Sequence, residues 1–206
     1  MAIDRDHTVA WMQRFAEEMA EHRQELVRLD TAIGDGDHGT NMNRGMQKAL
    51  EKLQTSETAD PGAVLKTVAM ALVSSVGGAA GPLYGTLLLQ MGTSMAGQAE
   101  VDQAGFVAAW QSALTGVKAR GKAELGDKTM IDALTPAIDA LEQAADLQAG
   151  LQAAVDAAQQ GMNATTPLVA RKGRASYLGD RSAGHQDPGA TSTYYLFKSA
   201  AETLAD

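Results

Sequence analysis

A chain of 206 residues, 45% of them apolar, is long enough for one large domain or two small ones with a substantial core. Its net charge of −8 and pI near 5.0 argue against nucleic acid or an anionic membrane surface as the main partner, because both are polyanions. The absence of cysteine excludes disulfides, zinc–thiolate centres and thiol catalysis.

The N-terminal stretch MAIDRDHTVAWMQ is charged and has no apolar signal-like run. No window reaches the roughly 18 uninterrupted apolar residues that a bilayer span needs. A soluble, cytoplasmic protein is expected. Abundant Ala and Met with only 4% aromatics favour helices over strands.

Met12, Phe15 and Met19, with Trp11 beside them, predict a first helix, which a further turn or two carries through Leu26 and Leu29. A Gly- and Asp-rich connection follows. Met42, Met46, Ala49, Leu50 and Leu53 then form the stripe of the next helix. Asp60-Pro61 reads as cap and first residue of a helix bearing Val64, Leu65, Val68, Leu72 and Val73, stopped by Gly77-Gly78. A segment restarts at Pro82. Asp102 caps the helix of Phe106, Trp110, Leu114 and Val117, which ends near Gly121. Thr129–Ala145, with a bend at Pro136, and Leu147–Met162 are the next two. The last begins near Asp187-Pro188 and carries Tyr194 to Phe197 and Leu204. About eight helical segments, no strand pair, no repeat and no long linker predict a single all-α domain spanning residues 1–206.

The connection LDTAIGDGDHGTNMN places Asp30, Asp35 and Asp37 within eight residues. Carboxylates this close raise one another's pKa or bind a cation. Hard oxygen donors suit Mg²⁺ or Ca²⁺. An EF-hand does not fit, because counting from Asp35 puts Gly39 at the fifth position and Met46 at the twelfth, where a bidentate Glu belongs. Mg²⁺ takes one or two carboxylates and completes its shell with water and phosphate. His38, Gly39, Thr40 and Asn41 follow at a helix N-terminus, a favourable place for phosphate. The plainer reading, a solvated turn, explains one Asp-Gly pair better than three Asp and three Gly together.

Two further loops bear on this. SSVGGAAGPLYG is Gly-rich but lacks the Gly-Lys-Ser/Thr of a P-loop; taken alone it reads slightly better as close helix packing at small residues than as backbone approach to a phosphate or ribose. ARKGRASYLGDRSAGHQDPGATS gathers Arg171, Lys172, Arg174 and Arg181, suited to phosphate or to a solvated surface. GKAELGDKTMIDAL is a candidate to line the same cavity, with Asp127 and Asp132 read as cap or surface residues and His185 as a lone His of structural type. No Gly-x-Ser-x-Gly or His-Glu-x-x-His occurs, so the chemistry indicated is phosphoryl transfer, in which positioning and charge neutralisation dominate.

Taken together, GDGDHGTNM, SSVGGAAGPLYGT, GKAELGDKTMIDAL and the long basic segment resemble the L subunit of bacterial dihydroxyacetone kinase, from the first helix to the last. The resemblance implies a barrel of about eight antiparallel helices with nucleotide in the loops at one end. It implies that Asp30, Asp35 and Asp37 bind two Mg²⁺ ions that hold the diphosphate of ADP or ATP. His38, Gly39, Thr40 and Asn41 match its phosphate side, and Ala79 and Ala80 its Gly-rich loop. The family often carries a hydroxyl where Ala80 stands, which leaves only backbone contacts there. Gly121 and Met130 match positions around the base; Arg174 and Asp187-Pro188-Gly189 match the closing loop. The implied partners are a K subunit holding dihydroxyacetone on a histidine, for which this chain length leaves no room, and a phosphohistidine M subunit that rephosphorylates bound ADP. An ATP-exchanging split kinase, a subunit serving another triose or sugar, and a nucleotide-loaded regulatory module are the alternatives. A phosphohydrolase fits less well, because no base for water is evident.

Overall fold

Five aspartates set the starts of five helices in the computed structural model, which describes residues 2–205. Asp4, Asp60, Asp102, Asp146 and Asp187 each accept a hydrogen bond from the backbone N–H three residues on, at 2.7–2.9 Å. Such caps satisfy an otherwise orphaned amide and contribute about 0.5–2 kcal/mol each. The helices they open are α1 (Arg5–Glu21), α4 (Pro61–Ser75), α6 (Gln103–Gly121), α8 (Leu147–Ala164) and α9 (Pro188–Leu204). Between them lie α2 (Arg23–Ile33), α3 (His38–Thr55), α5 (Ala80–Ser94) and α7 (Ile131–Gln143), none with a side-chain cap.

The apolar stripes read from sequence face inward. Trp11, Met12, Phe15 and Met19 of α1, Met42 and Met46 of α3, and Phe106 and Trp110 of α6 are fully buried. Trp110 stacks on Phe197 of α9 at 4.4 Å, and Trp11 donates its indole N–H to the Leu196 carbonyl at 3.1 Å. One cluster of buried side chains runs through all nine α-helices. Each helix from α3 to α9 packs on the next, α9 packs on α1, and α1 packs on α3, so the circuit of neighbours closes. Helix α2 lies outside that circuit, against α3 and α9.

Several expectations need correction. The first helical run is two helices, broken at His22, whose φ of −96° and ψ of 11° leave the helical region. A strand pair does exist: β1 (Ile3–Asp4) and β2 (Glu100–Val101) form a two-residue antiparallel ladder, too short to leave a period-two pattern. Helix α5 starts at Ala80 rather than Pro82, α7 at Ile131 rather than Thr129, and Val73 is exposed on α4. The basic loop is not irregular throughout; Arg174–Ser182 is a 3₁₀ segment. Its Ala175 and Leu178 pack on Ile33 of α2, which docks the segment beside the acidic turn.

Candidate functional site

The N-terminal ends of α3, α5, α7 and α9 meet at one open cavity: His38, Ala80, Met130 and Pro188 all line it. Three of these ends have no side chain capping them. At α5 the cap position is Ala79, whose side chain has no acceptor for the first-turn amides. The His38, Ile131 and Ala190 amides are taken by Asp30, Thr129 and Asp187 side chains, but four positive helix ends still make the cavity a place for an anion.

Acidic side chains stand at one wall. One carboxylate oxygen from each of Asp30, Asp35 and Asp37 lies within 4.8 Å of the others. Asp30 lies in the last turn of α2 and is buried; its Oδ2 accepts the Asp37 and His38 N–H groups at 2.8 and 3.0 Å, folding the turn around it. Gly34 makes that possible, since a Cβ there would overlap the Asp30 carboxylate. Three hard oxygen donors without sulfur fit a magnesium-type cation.

The remaining walls come from distant segments. Gly77 and Gly78 precede Ala79 and Ala80, with Leu83 and Tyr84 behind them. Lys128, Thr129 and Met130 form a second side, and Lys172 to Ala175 form a rim with Asp187, Pro188 and Gly189. Gly39, Thr40, Asn41 and Gly121 do not line the cavity. A Cβ on Gly39 would run into the Arg23 carbonyl oxygen, so this glycine brings α3 against α2. Asn41 is buried and accepts from Arg44 at 2.8 Å; Gly121 sits behind Leu83.

Three residues that sequence reasoning missed shape the site. Lys128 is fully buried with a left-handed φ of 62°, and its ammonium donates to the carbonyls of Thr165 (2.6 Å), Thr166 and His185. Burial pushes its pKa below the usual lysine value, while Asp187 and Asp132 act in the opposite direction. Tyr84 and Ser192 are the others. The Tyr84 hydroxyl is 2.7 Å from Ser192 Oγ, which is 2.9 Å from His38 Nε2. Burial raises Tyr84 to about 12 and depresses His38, so the chain is neutral near pH 7 and orients the imidazole beside the carboxylates.

Asp187 is also buried, and burial pushes its carboxyl up to about 7. Asp132 is buried rather than a surface residue; it accepts from the Gly126 and Thr129 amides at 2.6 and 2.7 Å and braces the turn before α7. Asp127 accepts the Glu124 amide with its side chain and the Arg171 amide with its carbonyl, at 2.8 and 3.1 Å. His185 contributes its carbonyl to Lys128. Among the basic residues, Arg174 pairs with Asp35 at 3.0 Å.

A helical cavity that collects positive helix ends and a carboxylate triad defines a nucleotide- or phosphate-binding class of protein. The DAK2 domain family matches residues 32–202, and the chain belongs to that family. Over 202 residues it is 41% identical to the ADP-binding subunit DhaL of the PEP-dependent dihydroxyacetone kinase of Escherichia coli, covering 96% of each chain. It is 43% identical over 203 residues to the corresponding ADP-binding subunit of dihydroxyacetone kinase 1 of Listeria innocua, covering 98% of each. Among solved structures it resembles the dihydroxyacetone kinase of C. freundii in complex with AMP-PNP and Mg²⁺, with a TM-score of 0.73 and 28% identity over 95% of this chain. The chain spans 33% of that kinase's length.

Proposed function

We propose that this chain is the ADP-binding subunit of a phosphoenolpyruvate-dependent dihydroxyacetone kinase. The observation that carries the reading is the convergence of four helix N-termini on the Asp30, Asp35 and Asp37 cluster. Relatives that match along nearly their whole length carry the same subunit name.

In this reading Asp30, Asp35 and Asp37 hold two Mg²⁺. The diphosphate would sit at the start of α3, marked by His38, and beside Ala79 and Ala80 at the start of α5, with Gly39, Thr40 and Asn41 behind the cavity wall. Met130, with Gly121 behind Leu83, bounds the base. Arg174 and the Asp187-Pro188-Gly189 corner close over the ligand. When bound, Mg²⁺-ADP would supply the phosphoryl acceptor toward a phosphohistidine subunit of the phosphotransferase system and, as ATP, the donor toward dihydroxyacetone on a separate K subunit. The chain's own contribution is positioning and charge balance, with no side-chain nucleophile, and the setting is cytoplasmic.

The test is to purify the chain, extract it with acid and identify bound nucleotide, then assay dihydroxyacetone phosphorylation with added K subunit. Retained ADP that free ATP does not displace, with turnover restored by the phosphohistidine protein, is expected. Turnover of freely exchanging ATP would replace this reading with the ATP-dependent kinase; no turnover with either donor would replace it with a regulatory module. Asp35→Ala is expected to abolish nucleotide retention, and full retention would overturn the metal assignment.

A further inference from the structure

Away from the nucleotide cavity, the bend between α1 and α2 gathers Glu18, Glu21 and His22. One ligand atom of each lies within 4.8 Å of the others. Positions i, i+3 and i+4 share one helix face, which accounts for their meeting. Glu18 is fully buried. Its Oε1 accepts from Arg14 and from Lys198 of α9. Its Oε2 is buried and has no hydrogen-bond partner.

His22 turns a free nitrogen toward that oxygen. Its Nδ1 lies 2.9 Å from Glu25 Oε2 and 2.9 Å from the Tyr195 hydroxyl, which itself donates to Glu25 at 2.7 Å. Tyr195 also stacks on the imidazole at 4.1 Å. A carboxylate at Nδ1 fixes the proton there, as it does for histidines that ligate metals through the other nitrogen. The Nε2 lone pair then faces Glu18 Oε2 at 3.4 Å. With the proton on Nδ1 these two electron-rich atoms repel, and either a proton on Nε2 or a metal cation between them relieves it. The spacing matches the edge of a tetrahedral zinc site, about 3.3 Å for ligand bonds near 2.0 Å.

The surrounding charge agrees. Among the described residues, Glu17, Glu18, Glu21 and Glu202 pair with Arg14 and Lys198 as permanent cations, and Glu25 pairs with His22. Glu21 is largely exposed and held only at 3.6 Å by Arg14, which has three other carboxylate partners, so it is free to swing inward. An imidazole beside two carboxylates favours a transition-metal dication over Mg²⁺.

We propose that Glu18 Oε2, Glu21 and His22 Nε2 form a binding site for a transition-metal dication of the Zn²⁺ type, with solvent completing its shell. The ion would pin the bend between α1 and α2. Helix α2 carries Asp30 eight residues beyond His22, about 12 Å along the axis, so the site would brace the helix that presents the acidic turn.

The test titrates Zn²⁺ into the full, tag-free, chelator-stripped chain in excess Mg²⁺ and ADP, which occupy the Asp30 cluster. One Zn²⁺ per chain is expected. His22→Gln should weaken that binding at least tenfold, and Glu21→Gln several-fold. Glu21 is 60% exposed with only a 3.6 Å ion pair, so Glu21→Gln should leave the zinc-free melting temperature unchanged and keeps the test independent of any packing lost with the His22 ring. Co²⁺ in place of Zn²⁺ should give a visible ligand-field absorption in the wild type that His22→Gln loses. No zinc uptake, or equal affinity in wild type and His22→Gln, would overturn the proposal. None of these readouts depends on kinase activity.

Discussion

Arg174 Nε lies 3.0 Å from Asp35 Oδ2, tying the 3₁₀ segment to the acidic turn across the mouth of the cavity. Both side chains are substantially exposed, 64% and 37%, so the pair adds only about 0–1 kcal/mol to stability. Its importance is positional. The guanidinium lines the cavity, and exchanging a carboxylate for a phosphate costs an arginine little.

Arg174→Ala is therefore expected to weaken Mg²⁺-dependent ADP binding about tenfold, roughly the value of one charge-assisted hydrogen bond. Stability without nucleotide should change by less than about 0.5 kcal/mol. Titration calorimetry and urea unfolding check the two halves. An unchanged ADP affinity would remove the 3₁₀ segment from the binding site.

The legible part of the molecule was the local part. Asp30, Asp35 and Asp37 meet because a single turn joins them, and the Asp60 and Asp102 caps act three residues away. What stayed hidden depends on partners far along the chain. Lys128 is satisfied by carbonyls 37 to 57 residues away, and carbonyls carry no side-chain signature. Tyr84 and Ser192 are 108 residues apart. The break at His22 is held by Tyr195 of α9, which helical periodicity cannot register. The β1–β2 ladder failed for the same reason: two residues on each side are too few to show a pattern.

Gly39 separates packing from ligand contact. A Cβ there meets the Arg23 backbone, which cannot move aside without shifting α2. Gly39→Ala should lower stability by about 1–3 kcal/mol, as overpacking does. ADP affinity of the folded variant should fall in step with any displacement of Asp30. Unfolding in urea measures the first effect; an unchanged midpoint would show that α2 and α3 are not locked at this residue.

Lys128 ties two segments to its own, since its ammonium bonds the consecutive Thr165 and Thr166 carbonyls at the end of α8 and that of His185 just before α9. Lys128→Met keeps most of the volume but removes the ammonium; the Thr165 and Thr166 carbonyls keep the Leu168 and Gly184 amides, and the His185 carbonyl loses its partner. The expected cost is about 1–3 kcal/mol, the value of one unsatisfied group. It also removes the nearest cation from Asp187, so that carboxyl should rise further. Urea unfolding at neutral pH provides the check. A cost below about 1 kcal/mol would indicate that water replaces the ammonium.

Asp187 predicts a pH dependence of unusual sign. Burial is the largest influence and raises its pKa from 3.8 to about 7; the Ala190 amide and Lys128 pull it down, and Asp132 pushes it up. Between these two values the folded state holds more protons than the unfolded one. The contribution to stability is therefore complete below the unfolded value and is lost as pH rises toward about 7. The span corresponds to a few kcal/mol, at about 1.4 kcal/mol per unit. His38 acts the other way: burial lowers its pKa from 6.5, so its contribution is complete above that value and lost as pH falls. The wild-type profile mixes the two. Asp187→Asn isolates the first, because the amide oxygen still accepts the Ala190 N–H but does not titrate. Relative to wild type, this variant should gain about 2–4 kcal/mol in urea unfolding between roughly pH 4.5 and pH 7.5. A difference that stays constant over that range would mean that Asp187 is ionised throughout, with Lys128 as its counter-ion.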